Sequence, residues 1–152
     1  MIEQTAQSDA LQPKLGAFPV FVKTTGRRVV IVGNGDEALA KARLIGQSDA
    51  DISIVAEAPE AELEAFVARN GIEMVRAAYD SDQIAGAVMV FAATGDEEFD
   101  RRVVADARDA GIAVNAVDRP DLCDFYTPAL VNRAPVAIAI GTEGAGPVLA
   151  QM

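Results

Sequence analysis

The side chains best suited to chemistry gather in one stretch, Asn115-Ala116-Val117-Asp118-Arg119-Pro120, closely followed by Asp121, Cys123 and Asp124. The 152 residues include no histidine, so proton transfer falls to carboxylates, tyrosine or lysine. Asp118 is the best-placed acid-base candidate, because it follows an apolar run, Ile112-Ala113-Val114, whose carboxyl end is where a parallel sheet presents reactive groups. From spacing alone, a turn or cap aspartate before Pro120 is the reading it must be weighed against, since Asp before Pro is frequent in turns. Asp121 and Asp124 allow a solvated acidic face or a weak metal-attracting cluster, and no metal ligand set is assigned. Cys123, the single cysteine, cannot form an intrachain disulfide and reads as a small apolar residue rather than a nucleophile.

Such residues need a frame, and the stretch RVVIVGNGDEALAKARL from Arg28 to Leu44 supplies its centre. Val29 to Val32 is a short β-branched run ending on glycine, which predicts a buried strand. Gly33-Asn34-Gly35 then turns the chain, and Ala38, Ala42 and Ile45 recur at helical spacing. Gly33-x-Gly35-x-x-Ala38 matches the dinucleotide fingerprint: Gly33 for the turn, Gly35 for approach of a pyrophosphate, Ala38 for close helix packing. The new helix would direct free N–H groups and its positive dipole end at the phosphates. A second apolar run, Ile52 to Ala56, follows at βαβ distance and ends at Glu57, placed to accept from a ribose hydroxyl.

The remaining chain continues the alternation. Pro59 to Asn70 reads as a helix closed by Gly71, Ile72 to Val75 as a strand, and Ala87 to Ala92 as an unbroken strand covered on both faces. Thr94-Gly95-Asp96 then lies at the ligand-binding edge and also suits the N-cap of a helix over 97–110. Ala129 to Asn132 and Val136 to Ile140 are separated by three residues, too few for a parallel crossover, so a hairpin is expected. Phe18 to Val22 is read as an edge strand, and Pro147 to Ala150 as the first turn of a helix. The fold expected is α/β, a Rossmann-like doubly wound parallel sheet with a C-terminal β-hairpin. Its divisions are a flexible tail at 1–16, a nucleotide domain at 17–128, and hairpin plus the start of a helical region at 129–152.

Aromatics are only 5% of the chain, so Val, Ile, Leu and Ala must build the core. The net charge of −10 argues against nucleic acid, which needs a basic face. No apolar run approaches the roughly 20 residues of a membrane span, and the N-terminus lacks a signal-peptide pattern, so a cytoplasmic protein is expected.

The order of motifs resembles the N-terminal domain of the siroheme synthase family, the precorrin-2 dehydrogenases and sirohydrochlorin ferrochelatases. The resemblance runs from Phe18 to Leu149. It is carried by FPVFV at Phe18, VVIVGNGDEALAKARL at Val29, FAATGDEEFDRRV at Phe91 and NAVDRPDLCDFYTPALVNRAPVAIAIGTEGAGPVLA at Asn115. It implies that NAD accepts a hydride as precorrin-2 becomes sirohydrochlorin in siroheme, and hence porphyrin, biosynthesis. Cofactor contacts would fall on Gly33, Asn34, Gly35, Asp36, Glu37, Glu57, Ala58 and Thr94. The family's acid-base role falls on Asp118, which also strips pyrrole protons where members insert Fe2+. Asn115, Arg119 and Thr142 are candidates for the tetrapyrrole. Arg119, where the family commonly has a small or acidic residue, would favour an ionised Asp118 or hold a substrate carboxylate. A homodimer is a further implication, although the helical segment that completes it in the family is not matched. The competing expectations are a non-catalytic dinucleotide-binding module and a doubly wound domain without nucleotide.

Overall fold

Val29 to Val32 alternate their side chains between two helix layers, so one strand feeds two cores. A computed structural model describes residues 12–142 of the chain. Its main sheet comprises β1 (Arg28–Val32), β2 (Asp51–Val55), β3 (Glu73–Val75), β4 (Met89–Ala92) and β5 (Ala113–Ala116). All pairings are parallel, in the order β3-β2-β1-β4-β5. Val29, Ile31, Ile54 and Phe91 pack under α1 (Asp36–Ile45) and α2 (Ala61–Asn70) through Ala38, Leu39, Ala42, Leu63 and Val67. Val30, Val32, Val90 and Val114 face the opposite layer, where α3 (Glu97–Asp109) contributes Val103, Val104 and Ala107. The doubly wound expectation holds, and burial of this aliphatic surface at roughly 25 cal/mol per Å² is the main force holding the layers together.

Local signals set the helix limits. Asp96 caps α3 by accepting from the Phe99 amide at 2.8 Å, so the cap reading of Thr94-Gly95-Asp96 is realised. Gly71 and Gly111 follow α2 and α3 at φ of 62° and 71°, the left-handed geometry that a glycine supplies cheaply. The crossing from β3 to β4 uses no α-helix. It carries a 3₁₀ turn, Ser81–Ile84, capped by Asp80 and anchored by fully buried Ile84.

The hairpin is present as β6 (Ala129–Arg133) and β7 (Val136–Ile140), paired antiparallel as a separate two-stranded sheet. Val131, Val136 and Ile138 on it are exposed. One strand expectation fails. Phe18 to Val22 forms no strand: it pairs with neither open edge of the sheet, β3 or β5, and with Phe18 and Phe21 largely exposed it buries too little apolar surface to be held there. The helix expected from Pro147, the glycine loop beyond Thr142 and most of the tail expected at 1–16 lie outside the described residues.

Candidate functional site

From β1 the chain runs outward through β2 and β3, then returns across β1 to β4 and β5. The reversal opens a crevice at the carboxyl ends of β1 and β4, the place where doubly wound sheets bind ligands. Gly33 follows β1 there, and Thr94 follows β4. A cleft of about 490 Å³ opens between them, lined in part by Gly33, Asn34, Glu57, Tyr79, Phe99 and Arg102. Its far wall is aromatic and cationic: the Tyr79 and Phe99 rings lie 5.8 Å apart with the Arg102 guanidinium 5.3 Å from the Tyr79 centroid. Tyr79 donates to Asp106 at 3.0 Å, and burial together with that carboxylate pushes its phenol well above the usual range. A larger groove of about 700 Å³ opens by Phe66, Asn70 and Asp51 at the amino end of the sheet. We place the site in the smaller cleft, because only there do a helix N-terminus, the glycine turn and Glu57 converge.

The glycine turn works differently from its sequence reading. Gly33 has no positive φ; it is required because a Cβ there would collide with the Ala93 carbonyl, the backbone just past β4. Asn34 likewise does not use left-handed backbone. Its side chain accepts from the Ala58 amide at 3.3 Å and its carbonyl from the Glu60 amide at 2.8 Å, tying the glycine turn to the loop after β2. Ala38 is fully buried beneath the turn, as the fingerprint requires. Beside the bare Cα of Gly35 lies the Glu60 carboxylate, 2.7 Å from where a Cβ would sit. Glu60 is exposed and flexible, so it can leave that space to a phosphate. The turn, the open amino end of α1 and Glu57 in the cleft therefore fit a dinucleotide.

A second group of residues lies on the same edge beside α1. Asp118 occupies the turn after β5 at φ 60°, the one described residue besides glycine with positive φ. A short polar side chain tolerates this conformation, and such departures gather at functional sites. The Asp118 carboxylate is exposed and makes no hydrogen bond or ion pair among the described residues, so it caps nothing. Its charge reaches two half-buried groups on α1, Glu37 and Lys41. Burial raises the Glu37 carboxyl above its ordinary range and Asp100 and Asp118 push the same way, while Arg119 and the Gly95 amide oppose them. One Glu37 oxygen, Oε2, is buried without a hydrogen-bond partner. Burial lowers the Lys41 ammonium, partly offset by Asp118, Cys123 and Glu37.

Several expected contacts are spent on structure. Asp100, fully buried and not legible from sequence, accepts from the Thr94 amide at 3.1 Å, the Thr94 hydroxyl at 2.7 Å and Arg119 Nε at 3.3 Å. Arg119 is thus turned toward Asp100, with Glu97 at 3.8 Å, rather than toward Asp118 or open space. Asn115 is buried and donates to the Phe125 carbonyl at 2.9 Å, which removes its donor from the edge. Thr142 follows the hairpin instead of the main sheet. Asp124 pairs with Arg108 at 2.9 Å and accepts from the Val114 amide, so it is a structural clamp. Among the described residues no group of three or more His, Cys, Asp or Glu side chains is placed to hold a metal ion. Burial pushes the Cys123 thiol up, and its Sγ lies 3.2 Å from the Ala116 carbonyl, in keeping with a packing role. Because Asp100 serves two loops without solvent, Asp100→Asn is expected to cost about 2–3 kcal/mol, read by urea unfolding. A loss below about 0.5 kcal/mol would mean that the loops do not depend on this carboxylate.

Residues 20–129 match the family described as "Putative NAD(P)-binding". The chain belongs to that family. Siroheme synthases are also similar to it: that of Psychrobacter arcticus is 38% identical over 138 residues, covering 91% of this chain and 25% of the relative. That of Ectopseudomonas mendocina is 40% identical over 135 residues, covering 89% and 29%. The chain therefore spans between a quarter and a third of the length of these curated relatives. Among solved structures, SirC, precorrin-2 dehydrogenase, superposes with a TM-score of 0.76 at 25% identity, over 89% of this chain and 66% of that one. The family assignment accords with the NAD(P)-type cleft, and the likeness to SirC with the five-stranded parallel sheet. No helix among the described residues is long and apolar enough to cross a membrane.

Proposed function

We propose that this chain oxidises precorrin-2 to sirohydrochlorin with NAD as hydride acceptor. The observation that carries the reading is Asp118: an uncommitted carboxylate held in left-handed backbone on the same sheet edge as the dinucleotide cleft. Asn34, Gly35 and the first turn of α1 would hold the pyrophosphate, and Glu57 would accept from the adenosine ribose hydroxyls. An oxidised nicotinamide bound there supplies a two-electron hydride acceptor. Each oxidation removes one hydride and one proton from the macrocycle, leaving a new double bond. Asp118 takes the proton, a task its exposed carboxylate suits because it can then pass the proton to water. Thr94 and Asp100 keep the β4 loop fixed at the edge while this happens. Where Fe2+ insertion follows, the same carboxylate would accept the displaced pyrrole protons.

Purified protein, precorrin-2 and NAD should give sirohydrochlorin and NADH in equal amounts, with no product when NAD is omitted. NADP should bind more weakly, since Glu57 would repel its 2′-phosphate by an interaction on the order of 1 kcal/mol in a partly wet cleft. Dinucleotide binding without oxidation would favour a non-catalytic binding module, and tighter binding of NADP would reverse the role given to Glu57.

A further inference from the structure

The proposed substrate carries carboxylate side chains, whereas the edge that would receive it is rich in acids: Asp36, Glu37, Glu57, Glu60, Asp96 and Asp118. An anionic ligand needs a cation there, and most of those nearby are already engaged. Arg119 is committed to Asp100 and Glu97, Arg108 to Asp124 and the Leu122 carbonyl, and Arg102 lies against Tyr79 and Phe99 across the cleft. Lys41 differs. Its Nζ uses one N–H, to Thr127 Oγ1 at 3.1 Å, and lies 5.8 Å from the centre of the Phe91 ring. Phe91 pairs in register with Asn115 of β5, so the ammonium lies beside the strand that leads to Asp118.

We propose that Lys41 is the substrate-carboxylate anchor of this site: a half-buried ammonium between α1 and the segment entering the hairpin, with donors left for a tetrapyrrole side chain. The groups facing it are Glu37 from its own helix, Asp118 and Cys123 from beyond β5, the neutral Thr127 hydroxyl and the Phe91 ring. Among the described ion pairs none joins Lys41 to either carboxylate. Partial burial has already removed some of its water, so a carboxylate arriving there meets an incompletely hydrated cation and forms a charge-assisted hydrogen bond. Asp118, sharing the same surroundings, is placed next to the ring whose side chain Lys41 holds. The assignment replaces Arg119 in that role and rests on the tetrapyrrole reading.

Anaerobic titration of the whole chain with sirohydrochlorin, followed by its absorbance, reads binding without turnover. Lys41→Gln should weaken that binding at least about 10-fold, Lys41→Arg should stay within about 3-fold, and NAD affinity should change by less than about 2-fold in both. Equal binding by wild type and Lys41→Gln would overturn the Lys41 assignment alone. Wild-type protein that bound NAD but no sirohydrochlorin would overturn the tetrapyrrole reading and this anchor with it. If Lys41→Gln failed to fold, Lys41→Met would decide: binding weakened at least about 10-fold with NAD affinity intact supports the anchor, and wild-type binding overturns it.

Discussion

Asp118→Asn is expected to slow precorrin-2 oxidation by about 10²–10⁴-fold while NAD affinity stays within about a factor of two. Asparagine keeps the shape of the side chain and tolerates the φ of 60°, so the variant would remove the proposed proton acceptor without disturbing the turn. Alanine would confound the result by adding the cost of left-handed backbone, about 1 kcal/mol. The expected pattern is a fall in kcat and kcat/KM together, because on the proposed function the carboxylate would act as the proton leaves rather than when the substrate docks. Steady-state kinetics with calorimetric NAD binding make the check. Wild-type turnover in Asp118→Asn would remove this residue from the chemistry, and a rise in KM alone would make it a binding group.

Gly33→Ala should cost about 4 kcal/mol or more, a large part of the stability of an ordinary domain. The added methyl would collide with the Ala93 carbonyl, which belongs to backbone fixed by the hydrogen bond from Ala93 N to Val32 O at 2.8 Å. Neither strand end can retreat without breaking the pairing of β1 with β4. Gly35→Ala offers the contrast within one motif, since its methyl would meet the end of the Glu60 side chain, which can swing into solvent. Urea unfolding should therefore rank Gly33→Ala far below Gly35→Ala in stability. Similar values for the two would falsify the collision account.

The central frame was legible because its signals are local. Val29 to Val32, the glycine turn and Ala38 report strand, turn and helix within a dozen residues, and Asp96 and Gly111 mark the limits of α3 in the same way. Phe18 to Val22 reads as a strand from its apolar run, but such a run becomes one only where the fold docks it along a sheet edge, and this segment lies along neither β3 nor β5. Roles that rest on distant pairing were also hidden. Arg119 meets Asp100 across 19 residues, and Lys41 meets Thr127 across 86; in sequence the first looks like a free cation and the second like an ordinary surface lysine on a helix. The placement of Asp118 after β5 could be read, but its freedom from any cap bond could not.

Thr94 and Arg119 hang from the two oxygens of one sunken Asp100 carboxyl. The jaw that would touch the coenzyme and the jaw that carries the acid thus share a single pin, and neither can shift without tugging the other. On the proposed function, arrival of the nucleotide and alignment of the proton acceptor would become one mechanical event, readying the edge for a macrocycle before that macrocycle arrives.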